Sequence, residues 1–294
     1  MNSTPWEFMY PVLRWALRGL LAIVALALVV SGLVYALSER TMRRVYREPL
    51  PDPIPPADAG AIAEGRRLAQ LRGCSGGCHG SEIEGSVFMD EPLLAKIVAP
   101  NLSAAVRRYS DAELARIIRR GVRPDGRSVV VMPSEMFSAL SDSDLGKILA
   151  YLHSAPPRPG PGREVRLGPL ARLGLALGKY QTAAQLVHRA DSQASAYPPP
   201  GDPAATGAYL ARTVCTECHG LDLSGGEKAP DLRIAAGYSA EAFTRLLRTG
   251  KASGDRELGL MSRVARRRFS HFNDAEIQAL RSYLLARAAS AARR

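Results

Sequence analysis

Four cysteines occur in 294 residues, and all four stand in two pairs that run straight into a histidine. The first group is Cys74, Cys78 and His79; the second is Cys215, Cys218 and His219. The second group, CTECH at 215–219, has the C-x-x-C-H spacing at which two thiols on one turn can each add to a vinyl group of a porphyrin. The next residue, His219, then aims a ring nitrogen at the iron. A cytosolic redox pair needs no adjacent histidine, and a structural zinc site needs two further ligands that are not supplied nearby. The first group, CSGGCH at 74–79, has three residues between its cysteines. Ser75, Gly76 and Gly77 are small enough for the extra residue to bulge while both thiols meet the same porphyrin. The expectation is two covalently attached c-type haems, one in each half of the chain.

The halves also repeat. APNL at 99–102 answers APDL at 229–232, and Tyr109-Ser110 answers Tyr238-Ser239. Twelve residues after each tyrosine comes a glycine, Gly121 or Gly250, and eleven residues further a methionine, Met132 or Met261. FSALSDSDLGKILAYL at 137–152 then matches FSHFNDAEIQALRSYL at 269–284. A thioether is a soft, uncharged ligand suited to haem iron, and Met/His ligation raises the reduction potential. Equal spacing in both halves therefore predicts Met132 opposite His79 and Met261 opposite His219 as metal ligands. Met136 is the alternative in the first half and His271 in the second. His153 and His188 read as surface or linker residues.

On these residues the chain resembles the class I cytochrome c family, present twice in tandem over about 57–156 and 203–288. The resemblance implies an all-α fold of two small domains after an N-terminal transmembrane helix. In each domain an N-terminal helix (64–72 and 205–214) crosses a C-terminal one (141–153 and 273–287), with Gly65 and Gly207 permitting the close approach. It also implies that the carbonyls of Pro100 and Pro230 accept a hydrogen bond from the ligating histidine. GVRPDGRSVVVMP at 121–133 is similar to a stretch in cytochrome subunits of membrane-bound dehydrogenases. The CxxxCH spacing departs from the family pattern. Independently of the family, Ser141 and Ser110 read as helix N-caps and Gly121 as a helix end.

Residues 19–37 carry no charge, and nineteen residues reach roughly 28 Å, near the thickness of a bilayer core. Trp6, Tyr10 and Trp15 before the run and Tyr35 and Tyr46 after it suit membrane interfaces. The run exceeds the usual apolar core of a cleaved signal peptide, so an anchor is expected, with cleavage as the alternative. Arg14 and Arg18 precede the span, while Arg40, Arg43, Arg44 and Arg47 follow it. By count this favours a cytoplasmic C-terminal side. Haem attachment requires export and outweighs the count, which puts the haem domains in the periplasm of a bacterium.

The expected organisation is an N-terminal segment (1–48), a first domain (57–156), a proline-rich linker (157–202) and a second domain (203–294). LGPLARLGLALGKY at 167–180 reads as a short helix bracing the domains, or as a basic segment lying on a membrane. Arg263, Arg266, Arg267 and Arg268 read as a solvated face, or as a charge patch for propionates or a partner. The net charge of +11 suggests acidic docking surfaces on redox partners, and no nucleic-acid motif is present. An iron held by His and Met has no open position. The expected function is electron relay between a quinol-oxidising complex or dehydrogenase and an oxidase or other periplasmic acceptor. The alternatives are a di-haem enzyme such as a peroxidase, and a permanent cytochrome subunit of a larger oxidoreductase.

Overall fold

The uncharged run lies inside one long helix, α1 (Pro5–Met42), in the computed structural model, which describes residues 5–192, 204–226 and 229–292. The thirty residues Leu13–Met42 are long and apolar enough to cross a membrane; the most apolar part of that stretch is not buried against the rest of the chain, while Ser38 near its end is. Trp6 and Tyr10 lie outside the residues whose side chains are described, and 193–203 of the proline-rich run lies outside the described residues. Beyond α1 the backbone is tied to the first half. Tyr46 N–H donates to Gly126 O (2.8 Å), and Glu48 pairs with Arg120 (2.9 Å).

In the first half, Asp58 caps α2 (Ala59–Leu71) by accepting from the Ala61 N–H. A hairpin follows, β1 (Ser86–Glu91) and β2 (Ala95–Ala99), and Asn101 then caps α3 (Leu102–Arg108). Ser110 and Glu113 form a reciprocal capping box on α4 (Asp111–Arg120), which Gly121 closes at φ 65°. That satisfies orphan donors at one end and carbonyls at the other. α5 (Ser134–Phe137) and α6 (Asp142–Ser154), capped by Ser141, complete the set. Gly65 of α2 lies against the backbone of Lys147 in α6, where no Cβ could fit.

The residues read as a linker supply three more elements. β3 (Glu164–Leu167) pairs antiparallel with β2 to give a sheet in the order β1-β2-β3. α7 (Pro169–Ala176) packs along α1, and α8 (Ala183–Ser192) buries Ala183, Ala184, Val187 and Ala190 on the first half. The fold is mainly helical, as expected, and this small sheet is the departure from an all-α chain. It arises from an insertion: fourteen residues separate Gly85 from Pro100, but only four separate Gly225 from Pro230. The β-branched pair in AKIVA suits a strand, and β2 is mostly buried.

The second half repeats the plan without the hairpin. α9 (Ala205–Leu210) runs through a widened π-type turn (Ala211–Cys215) into α10 (Thr216–His219). A 3₁₀ turn (Leu232–Gly237), capped by Asp231, answers α3. α11 (Ala240–Thr249), capped by Ser239 and closed by Gly250 at φ 75°, answers α4. α12 (Leu260–Arg267) and α13 (Asp274–Ala292) follow, with Gly207 of α9 against Ala279 and Tyr283 of α13. Each half has its own apolar core, one around Leu145, Ile148 and Leu149, the other around Phe272, Ile277 and Leu280. Leu71, from α2, is fully buried in the second core. Arg67 of α2 also grips Glu276 of α13 through two hydrogen bonds of 2.8 Å each. The halves are thus joined by both apolar and ionic contacts.

Candidate functional site

Both cysteine groups sit where a first helix gives way to a tight loop. In the first, Cys74 N–H donates to Ala69 O (2.8 Å) and Cys78 N–H to Gly73 O (3.1 Å). The additional residue of CSGGCH is absorbed at Gly76, whose φ of 71° is open to glycine at no steric cost. Gly77 is pressed against Gly73, so that a Cβ there would lie 2.9 Å from the Gly73 Cα. In the second group, the π-type turn carries Cys215 into the short helix that bears Cys218 and His219. All four thiols are free. Burial pushes the Cys74 thiol up to about 11 and that of Cys215 up to about 12, and raises Cys78 and Cys218 as well. They are therefore protonated thiols, unlike the low-pKa cysteine of a thiol–disulfide catalyst.

The histidines are held alike. His79 Nδ1–H donates to the Pro100 carbonyl (2.8 Å), and His219 Nδ1–H donates to the Pro230 carbonyl (2.7 Å). A carbonyl can only accept, so the proton resides on Nδ1 and Nε2 keeps its lone pair for a metal. Burial also pushes the His79 pKa below its ordinary value, which keeps the ring neutral.

What fixes the two proline carbonyls is a loop that sequence reasoning missed. HGSEIEG at 79–85 and HGLDLSG at 219–225 have the same internal spacing. Gly85 N–H donates to His79 O (2.8 Å), and Gly225 N–H to His219 O (2.9 Å). The carbonyls of Ile83 and Leu223 accept from Leu102 (2.8 Å) and Leu232 (3.0 Å), which begin the segments after each proline. Ile83 and Leu223 both have φ 60°, an uncommon value for non-glycine residues, and both are buried. A Cβ at Gly85 would meet Ala99 O at 2.8 Å, and one at Gly225 would meet the Pro230 carbonyl carbon at 2.5 Å. The shared spacing H-G-x-x-[I/L]-x-G was the available signal.

Met132 and Met261 are each half-buried against the core of their own half. Met136, in contrast, is 0% exposed and forms part of the first core. His153 contacts Asp111 (2.6 Å), and His188 contacts Glu48 (3.4 Å) while stacking on Tyr46. His271 is half-buried at the junction of the halves, where its backbone carbonyl accepts from Arg67 (2.7 Å). Each half therefore offers two thiols, one imidazole and one thioether. That donor set fits a haem c. It does not fit zinc, since among the described residues no three His, Cys, Asp or Glu side chains gather as ligands.

One side chain joins the two attachment loops. Arg268 donates from Nε to Leu71 O (3.2 Å) and from Nη1 to Glu217 (2.8 Å), the glutamate inside CTECH. Gly73, next to Cys74, leaves room for it: a Cβ there would lie 3.1 Å from the Arg268 Nε. Its charge acts on all four thiols, drawing each pKa down against the effect of burial. Of the basic run, Arg268 is thus a half-buried bridge, Arg266 pairs with Glu257 (3.1 Å), and Arg263 and Arg267 are exposed. Nearby, Arg72 has a fully buried side chain and bonds Asp144 (2.9 Å) and the Tyr209 hydroxyl (3.3 Å), again across the halves.

The family model for cytochrome c matches residues 62–156 and again 204–287, more than half of the chain. Among curated proteins, the chain is 23% identical over 257 residues to the fructose dehydrogenase cytochrome subunit of Gluconobacter japonicus, covering 76% of this chain and 52% of that protein. It is 24% identical over 269 residues to the cytochrome c subunit of the quinone alcohol dehydrogenase of Gluconacetobacter polyoxogenes, covering 78% and 56%. It is 29% identical over 214 residues to a subunit of the nicotinate dehydrogenase of Pseudomonas putida, covering 66% and 17%. The chain thus spans about half the length of the first two relatives.

Proposed function

Because the chain belongs to the cytochrome c family through both of its halves, we propose that it is a membrane-anchored di-haem electron carrier serving a dehydrogenase at the periplasmic face of the bacterial inner membrane. Cys74 and Cys78 tether one haem, and Cys215 and Cys218 the other. Each haem, when bound, supplies a one-electron couple. His79 and His219, oriented by Pro100 and Pro230, would hold the iron through Nε2. Met132 and Met261 would supply the second protein donor in each half, and an iron so held would relay electrons rather than bind a substrate.

The observation that carries the relay reading is the Arg268 bridge, which links the end of α2, just before Cys74, to the second attachment motif through one half-buried side chain. An uncleaved anchor is supported by the contacts of α1 itself, where Arg172 lies over Tyr35 and donates to Ser38 and Glu39. The relatives' names support a cytochrome subunit of a dehydrogenase, and in this reading the chain passes the electrons on to a quinone, an oxidase or another periplasmic acceptor. The basic charge suits partners with acidic docking surfaces.

Purification of the tagged full chain from its native membrane in mild detergent tests this reading. Recovery with a stoichiometric dehydrogenase polypeptide, and reduction of the complex by that enzyme's substrate, is expected. A single haem protein that no dehydrogenase reduces contradicts it.

A further inference from the structure

The sequence makes α7 a brace between the halves, but its packing is on α1. It packs against the outer end of α1, and Arg172 fixes it there. The Arg172 guanidinium lies 4.3 Å from the Tyr35 ring centroid and donates to Ser38 (3.0 Å) and Glu39 (3.2 Å). Tyr35 falls near the end of the uncharged run 19–37, so α7 sits at the level where that run leaves the apolar layer. The face of α7 turned away from the protein is apolar: Leu170, Leu173, Leu177 and, just beyond it, Tyr180 are all exposed, Leu177 to 65%.

The β1–β2 turn extends the same patch. Gly168 N–H donates to Leu94 O (2.7 Å) and Leu170 N–H to Leu93 O (3.0 Å), which fastens the turn to the start of α7. Leu93 is itself 63% exposed. The hairpin belongs to the insertion that the second half lacks, so this patch exists only beside the anchor. The segments that lead into and out of this patch carry exposed cationic side chains: Arg40, Arg43 and Arg47 around the end of α1, Arg166 before α7 and Lys179 after it. Of these, Arg43 also pairs with Glu39 and Arg166 with Glu164. An exposed apolar patch rimmed by cations, continuous with a membrane-spanning helix, is the pattern of a segment seated in the lipid interface.

We infer that α7 and the Leu93 turn form a second membrane contact, a foot beside α1 that rests in the outer interface of the bilayer, with anionic phospholipid headgroups bound by the surrounding basic residues. This rests on the reading of α1 as a retained anchor. Two contacts in place of one fix the tilt of the haem domains over the membrane, where a single helix would let them swivel. The foot also accounts for Arg40, Arg43 and Arg47, which follow the span on the exported side against the usual charge rule. They are headgroup ligands of the foot.

Photocrosslinking of the full-length holoprotein tests the inference in vesicles of phosphatidylethanolamine and phosphatidylglycerol. A benzophenone amino acid replaces Leu26 in the anchor, Leu177 or Leu93 in the foot, or Ile234 on the exposed surface of the second half. Lipid adducts are read by mass spectrometry. Adducts at 26, 177 and 93, each at least about tenfold above those at 234, are expected. Adducts at 26 with only the level of 234 at both 177 and 93 overturn the foot and leave the anchor standing. No adducts at 26 overturn the anchor reading, and the foot with it.

Discussion

Replacing Gly65 with alanine sets two effects of opposite sign against each other. Gly65 lies inside α2, where alanine is favoured over glycine by about 1 kcal/mol on helix propensity alone. The added Cβ, however, would stand 2.5 Å from the Lys147 carbonyl carbon of α6, with the carbonyl oxygen closer still. Carbon atoms rest at about 3.5 Å or more, so the two helices must separate by about 1 Å at their crossing. The neighbour is backbone in the middle of a helix and cannot rotate away. Overpacking of this kind costs typically about 1–3 kcal/mol, and the displacement also loosens Leu68 and Ala69 against Ile148 and Leu149. With the carbonyl oxygen so close the cost falls at the upper end of that range, and less the propensity gain the expected net loss is about 1–2 kcal/mol, or a fall in Tm of about 5–15 °C for a unit of this size. Thermal melts of the holoprotein, followed by the visible haem absorbance, measure it. Gly207→Ala should act likewise in the second half, where a Cβ would lie 2.6 Å from the Tyr283 Cβ. A Gly65→Ala protein that melts at the wild-type temperature or above would refute the reasoning, because propensity would then outweigh the contact.

Met132→Ala should remove the methionine-to-iron absorption of one haem while the fold persists. Met136→Ala should keep that band and cost about 2–5 kcal/mol in denaturant unfolding, as a cavity in the first core. Arg268→Gln leaves Glu217 without its partner between the two attachment loops, so a redox titration should find both midpoint potentials lowered together; a change in one alone would count against the bridge. Burial pushes the Glu135 carboxyl up to about 7, and its Oε2 has no hydrogen-bond partner. The folded chain therefore binds this proton more tightly than the unfolded chain. The stability it contributes is full below the unfolded pKa, about 4.3. It is lost as pH rises to about 7, at most about 3 kcal/mol in all. Urea unfolding of Glu135→Gln across that range should lack this slope.

The parts of the site that depend on local spacing were legible in the sequence. The two cysteine groups, the capping Ser110 and Ser141, and Gly121 at a helix end follow from residue type and register, while the glycines of the two helix crossings came with the family resemblance. The proline carbonyls came from the family resemblance, and the structure shows each accepting a histidine N–H. The rest depends on contacts between distant segments. Arg268 looked like one member of an exposed basic run because its acceptor, Leu71 O, lies 197 residues away. Leu71 itself fits the apolar face of α2, and nothing local says that it enters the other half's core. Ile83 and Leu223 adopt a backbone conformation that neither residue type favours, so no propensity argument could find them. The short helix α7 falls inside the apolar stretch 167–180 that the sequence marks, whereas β3 lay hidden in the proline-rich run because the sheet it completes begins in an insertion about seventy residues earlier.

The central claim is that both irons are closed by His79 with Met132 and by His219 with Met261. Visible and near-infrared spectra of the purified holoprotein, oxidised and reduced, with and without carbon monoxide, test it most directly. The account predicts a methionine-to-iron charge-transfer band equivalent to two haems and no response to carbon monoxide. Half of that band, with one haem binding carbon monoxide, would contradict it and mark an open iron.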